Sequence, residues 1–428
     1  MTAMRIVVEN ATYAVSHRCV LRRLFLTPLM PALHAGIGYL LAAAAEATGI
    51  VVHNLVVMPN HIHLVVTATE ANLSEFKRRF FGEVGKFVKV FLSEHGFEPP
   101  ENVLAAGAGH HERLIGVAAQ MTALHYADVN TIKAGLVERV EQYPGLSTDL
   151  GLMNGGAIPF DRPTIYVDRR YSPDQRNARF GAPPDLVANY GSSRKVVYRL
   201  QRLRHFKEKA LAAHRKRPVL GALAVTRMHP WSEPRSPRRF RRGPKPSFLV
   251  VDDDELAERC ALETTHIRER YRDARLALLA GEEAVFPYGT NKLRVEHGVT
   301  VEPVEATEGF VVNAPGPVRA KPLSRDALRT LHTRLREEAQ KVTPEEDEDN
   351  LAARLERGRA DEVDRRDAPN VRTEPMPNAE GDRVDGELHK LVVLRGSTAT
   401  ARRRRRQQQL ARARSEPPDA SDVEPPFD

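Results

Sequence analysis

Apolar positions along the first 150 residues fall into two periods. Two-residue spacing marks strands, whose successive side chains leave opposite faces. Three- and four-residue spacing marks helices. The segment Met4 to Arg18, with Ile6-Val7-Val8 and Tyr13-Ala14-Val15, predicts a strand region. Pro31 to Thr48 predicts a helix, with proline in its first turn and Gly49 just past its end. Val51 to Val57 and His61 to Thr67 are β-rich runs joined at Pro59-Asn60. That pair suits a tight turn, because proline presets φ and asparagine tolerates left-handed backbone. A second helix opens at Asn72 or Ser74 and runs to Glu94, with Phe76, Phe80, Val84, Phe87 and Phe91 on one face. A loop comes next, through Pro99-Pro100 and Ala105 to Gly109. A third helix is expected from about Ile115 to Val129 or beyond.

Beyond residue 150 the pattern loosens. Residues 155 to 184 are rich in Pro, Asp and Arg and read as irregular. Residues 192 to 217 predict a strongly basic helix in which Glu208 is the lone acid. Residues 228 to 246 form a Pro/Arg-rich linker, 256 to 279 another helix, and Val285 to Thr290 a turn. From about 335 the chain mixes charges, carries scattered prolines and is poor in aromatics. Such a composition cannot bury enough apolar surface to offset ordering entropy, so mostly disordered chain is expected. These shifts divide the sequence into a patterned domain at 1–150, a basic and mainly helical extension at 151–335, and a charged tail at 336–428.

Charge adds a partner. The 428 residues carry 64 Lys and Arg against 56 Asp and Glu, a formal net charge of +8. A basic excess favours a polyanion, nucleic acid first. Two cysteines, Cys19 and Cys260, supply neither a disulfide framework nor a cysteine zinc site and fit a reducing compartment. No N-terminal signal peptide is evident, and no apolar run is long enough to span a bilayer. A cytoplasmic, DNA-associated protein with no membrane partner is the expectation.

The chemistry is concentrated in Met58-Pro59-Asn60-His61-Ile62-His63-Leu64-Val65-Val66. On a strand, His61 and His63 share one face and Ile62 takes the other, so the two imidazoles can share a metal ion. A second constellation lies on the third helix. Tyr126 and Asn130 are four residues apart, hence one turn apart on one face. If that face meets the histidines, an amide oxygen joins two imidazoles, and a phenol sits beside them as a nucleophile for phosphodiester attack.

These segments resemble a known family. The His-Ile-His stretch with its Met-Pro-Asn lead is similar to the histidine motif of the IS200-like transposases, and in particular of the REP-associated tyrosine transposases, which are HUH endonucleases. Tyr126 to Val137 with Tyr143-Pro144 and Ser147 resembles that branch's tyrosine helix. Ser16-His17-Arg18-Cys19 with Arg22-Arg23 and Phe25 resembles its first strand and the loop after it. The resemblance covers about residues 10 to 150. It implies an α+β fold whose core is a ferredoxin-like antiparallel sheet with helices on one face. It implies Mg or Mn held by His61, His63 and Asn130, with Tyr126 as nucleophile. It further implies cleavage of single-stranded DNA near a hairpin, leaving a 5′-phosphotyrosine and a free 3′-hydroxyl. Two stretches depart from the family pattern. Asn130-Thr131-Ile132 stands where the family has Asn-Pro-Val, and the loop from Ala105 to Arg113 lacks the family's aromatics.

For the DNA backbone, Lys77, Arg78, Arg79 and Lys86 on the second helix and Arg199 and Arg202 on the basic helix are candidate phosphate contacts. Two competing classes have distinct signatures. A catalytically inactive or domesticated protein would bind hairpin DNA without cutting it. A metal hydrolase using activated water would cut without a covalent intermediate. Both a monomer and a homodimer exchanging tyrosine helices are compatible with the sequence.

Overall fold

The computed structural model describes residues 6–107, 109–215, 217–232 and 247–303, with Val312 and Thr333. The expected tail at 336–428 lies outside the described residues. The chain is α+β, built on a seven-stranded mixed sheet.

The sheet's centre is laid down by the first 115 residues. Strand β1 (Ala11–Arg18) leads to helix α1 (Pro31–Thr48), then to β2 (Val51–Met58) and β3 (His61–Ala68). Helix α2 (Leu73–Glu94) and strand β4 (His110–Leu114) complete the unit. The four strands are antiparallel neighbours in the order β2-β3-β1-β4, the split βαβ arrangement of a ferredoxin-like core. Helix α1 has its expected limits, and its C-cap, Gly49, takes the left-handed conformation at φ 67°. Pro59-Asn60 forms the two-residue turn between β2 and β3, with Met58 paired to His61.

Register sorts the side chains of β3. His63 pairs with Ser16 and Val56, while Ile62 pairs with His17 and Val57. The Ile62 face meets α2, where the His17 imidazole stands edge-on to the Phe81 ring at 4.8 Å. Helix α1 joins that layer at Gly36, where a Cβ would run into the Phe87 ring. On the opposite face lies α3 (Gly116–Asp128), continued after Val129 by one short turn, α4 (Asn130–Lys133). Val65 of β3 shares a buried apolar cluster with Ala119, Ala123, Leu124 and Ala127 of α3. Val56 and Met58 of β2 pack with Val129 and Ile132 at the α3–α4 junction. Thus the core helices cover one face, and the tyrosine-bearing helix covers the histidine face.

The extension adds to the same sheet. Residues 155–184, expected to be irregular, form a hairpin of β5 (Asn154–Asp161) and β6 (Gln175–Gly181), with β6 beside β2. The pattern is hard to read because β5 is an edge strand with mostly exposed side chains, and an edge tolerates Pro159. The stretch Ala105 to Arg113, expected as a loop, includes the start of β4. At the other edge β7 (Phe248–Leu249) runs parallel to β4.

Helices α5 (Pro184–Tyr190) and α6 (Ser193–His214) lie against α3. Helix α6 is the predicted basic helix, and its Leu200 and Leu203 are buried in the α3 cluster. Helix α7 (Ala222–Thr226) comes next, then α8 (Asp254–Leu279). Among the described residues no helix is long and apolar enough to cross a membrane.

Candidate active site

The site begins at the β2–β3 turn. Because the turn has two residues, His61 opens β3 directly, and the strand alternation places His63 beside it. Their ring centroids are 4.6 Å apart at an interplanar angle of 81°. Nδ1 of His61 lies 2.5 Å from Oδ1 of Asn60. A carboxamide oxygen only accepts, so Nδ1 carries the proton and Nε2 keeps its lone pair. Burial holds His61 well below the ordinary imidazole range, with further lowering by His63, Arg18 and Arg22. His63 is lowered to about 4 by burial and by Arg18. Both imidazoles are therefore neutral near pH 7, the state in which they can coordinate a metal.

Tyr126 reaches this pair from α3. Its ring centroid is 5.8 Å from that of His63, at 80°. It is 45% exposed, so solvent reaches the phenol in a helix that is otherwise largely buried. Lys133 Nζ lies 4.9 Å from the Tyr126 ring centroid. The two residues are seven apart, about two helical turns, and share a face although Val129 separates α3 from α4.

Asn130 opens α4 and is buried, with no hydrogen-bond partner for its Nδ2. The chain continues helically from Asn130 through Lys133, and Gly135 then turns away at φ 67°. Ile132 packs with Val56 and Met58, the register partners of His63 and His61. Asn130 thus stands on a turn seated against the histidines' immediate strand neighbours.

The tyrosine helix is held by the extension. Arg204 of α6 grips Asp128 at the end of α3 with two bonds, Nε to Oδ2 at 2.8 Å and Nη2 to Oδ1 at 2.5 Å. Its Nη1 donates to Glu141 at 2.6 Å, and Asp149 lies 3.8 Å away. Both members of the central pair are buried, and a bidentate ionic bond in that setting is directional as well as strong. Lys207 is also buried, and burial, followed by Lys207 and Arg204, lowers His125 to about 3. The basic helix therefore spends part of its charge inside the protein.

The predicted phosphate contacts scatter. Lys77 is corrected: it is 2% exposed, and its ammonium donates to Gly109 O at 3.1 Å and contacts His111 Nδ1 at 3.0 Å, bracing β4 from within. Arg78, Arg79 and Lys86 are exposed, but α2 lies on the face away from the histidines. Arg79 is paired with Glu75, and Lys86 with Glu83. Arg199 stacks on Tyr190 at 4.6 Å, and Arg202 lies 5.8 Å from the Tyr198 ring. The sequence reading missed Arg18, Arg22 and Lys133 as neighbours of the site. Lys133 was findable from its two-turn spacing, whereas Arg18 becomes visible only when the β1–β3 register pairs it with His61.

No family model matches the chain, and no curated protein matches it. Among solved structures, that of a REP-associated tyrosine transposase bound to a REP hairpin is similar over 35% of this chain and 86% of its own, at 20% identity and a TM-score of 0.28.

Proposed function

We propose that this chain is a transposase-like strand transferase acting on single-stranded DNA beside a hairpin, with Tyr126 as nucleophile. The observation that carries the reading is the packing of the exposed Tyr126 ring against His63, with His61 next to it. In this reading the Tyr126 oxygen attacks a backbone phosphorus. The Tyr–O–P bond forms, the P–O3′ bond breaks, the phenol loses its proton, and the departing oxygen takes one to become a 3′-hydroxyl. The DNA stays attached through a 5′-phosphotyrosine. One phosphoester replaces another, so rejoining needs no nucleotide cofactor.

A divalent ion, Mn or Mg, is part of the proposal. The donor chemistry fits two imidazole ligands: both rings are neutral, and the Nδ1–H of His61 is fixed by Asn60, the kind of outer contact that orients a metal-binding histidine. Among the described residues no cluster of three His, Cys, Asp or Glu is present, and in this proposal the third protein ligand would be the carboxamide oxygen of the buried Asn130. Bound there, the ion would polarise a phosphoryl oxygen and offset developing negative charge. Imidazole donors generally suit Zn, Cu, Fe or Ni while Mg seeks oxygen, so Mn is the compromise between the two for this donor set.

The test uses the full-length protein, a hairpin-flanked single strand and Mn or Mg. The expected product is a covalent protein–DNA adduct that resists denaturation and disappears in Tyr126→Phe. Cleavage without an adduct indicates attack by water. Hairpin binding with no cleavage at any metal indicates a DNA-binding protein without strand transfer.

A further inference from the structure

The turn after β1 is the most strained described segment next to the histidines. Leu21 and Arg22 take consecutive left-handed conformations at φ 52° and φ 56°. Neither is glycine, and residues with a Cβ adopt that region at a cost of roughly 1–2 kcal/mol each. The strain is held by surrounding bonds. Cys19 N–H donates to Asn60 O at 2.8 Å, Val20 N–H to Val103 O at 2.9 Å, and Leu26 N–H to Pro59 O at 2.9 Å. From the extension, Trp231 accepts a bond from Arg23 Nη1 at 2.6 Å through its carbonyl and packs its indole against Phe25. Two of these bonds go to the β2–β3 turn itself, so the strained turn and the His61 turn are one structure.

The clamped turn presents an apolar side chain among cations. Leu21 is 71% exposed. Arg18 is the strand partner of His61, and Arg22 lies in the segment that Cys19 and Leu26 bond to Asn60 and Pro59, just ahead of His61. A bare leucine beside two guanidinium groups gains nothing in water, yet it matches DNA: cations take the phosphates while an apolar wedge enters a base step. Strain that surrounding bonds maintain at such a place is a common mark of a contact surface.

We propose that Val20–Arg22 is a DNA-wedging turn: Arg18 and Arg22 hold backbone phosphates next to His61, and Leu21 inserts between bases and unstacks the strand presented to Tyr126. The inference deepens the strand-transferase reading and rests on it for the identity of the ligand.

The experiment places 2-aminopurine at successive positions of the single strand beside a hairpin and measures its fluorescence on binding. Affinity is measured in parallel across a salt series. Wild-type protein is expected to raise the fluorescence at one position. Leu21→Asn, which suits left-handed backbone but removes the apolar wedge, should abolish that rise while its urea midpoint stays level or increases. Arg22→Gln should lower the slope of log affinity against log salt by about 0.7, the loss of one phosphate contact on a single strand. An unchanged signal in Leu21→Asn together with an unchanged slope in Arg22→Gln overturns the inference, whatever adducts form. A wedge signal without any Tyr126 adduct supports the turn and sinks strand transfer. Absence of DNA binding in wild type overturns both.

Discussion

At the scale of single residues, the question at the site is what Lys133 does for Tyr126. An ammonium 4.9 Å from the ring centroid attracts the ring and attracts it more as the phenol becomes anionic. That is differential stabilisation, which raises the rate of the chemical step rather than the affinity. Replacing Lys133 with Gln is expected to slow adduct formation about tenfold at saturating DNA, equivalent to about 1.4 kcal/mol. Lys133→Arg should recover much of the rate. Single-turnover kinetics decide the matter, and a change in DNA affinity alone would refute this role. The histidine pair was legible in the sequence because strand alternation is strict. Tyr126 and Asn130 were legible as helix neighbours. No period reveals which elements meet. The burial of Lys77 under β4 and the approach of Arg18 to His61 arise from strand register and helix docking, which pair residues far apart in the chain.

At the scale of elements, α6 is the least expected feature. Its basic sequence reads as a nucleic-acid face, yet Arg204 is buried against Asp128 at the end of α3. Composition alone cannot distinguish a solvated arginine from one aimed at a buried carboxylate on another element. Removing one partner of a buried pair leaves an uncompensated charge, at a cost of roughly 3–5 kcal/mol. Arg204→Ala should therefore lower stability by that amount in urea unfolding. Adding Asp128→Asn should restore a large part, since the orphaned carboxylate is then gone. If the double variant is as unstable as the sum of the singles, the pair is not coupled. Close approach fixes a second junction. At Gly38 of α1 a Cβ would collide with the Phe160 ring of β5, so Gly38→Ala should cost about 1–3 kcal/mol through overpacking. Both junctions join the first 150 residues to the extension. The elements at 154–214 are thus packed as part of the fold that carries the site.

At the scale of the whole molecule, buried neutral histidines make the fold acid-sensitive. His34 is lowered to about 4 by burial; its Nε2–H donates to Leu26 O at 2.8 Å, and its Nδ1 accepts the Leu146 N–H at 2.6 Å. His53, also lowered to about 4 by burial, bridges Gly181 O at 2.6 Å and the Thr67 hydroxyl at 2.7 Å. It thereby ties β2 to β6 and β3. His125 is lowered to about 3 by burial, Lys207 and Arg204. Each ring would lose an acceptor or gain an unpaired charge on protonation. In the unfolded chain the same groups titrate near 6.5. Above that pH neither state is protonated, and the full stability is present. As pH falls from 6.5 towards 4, the unfolded chain takes up protons that the folded chain refuses, so stability declines through that window. Three such groups give a slope approaching three times about 1.4 kcal/mol per pH unit near pH 5, and the half-buried His61 and His63 act in the same direction. Asp128 acts the other way: burial raises its carboxyl to about 6, so the fold takes up that proton first and offsets part of the slope. Urea midpoints measured between pH 7 and 5 should therefore fall steadily, with a shallower fall in His53→Gln after correction for its lower starting stability. A midpoint that stays flat from pH 7 to 5 would mean that these rings take up protons in the fold as readily as in the unfolded chain, and with them the neutral imidazoles on which metal binding at His61 and His63 depends would be in question.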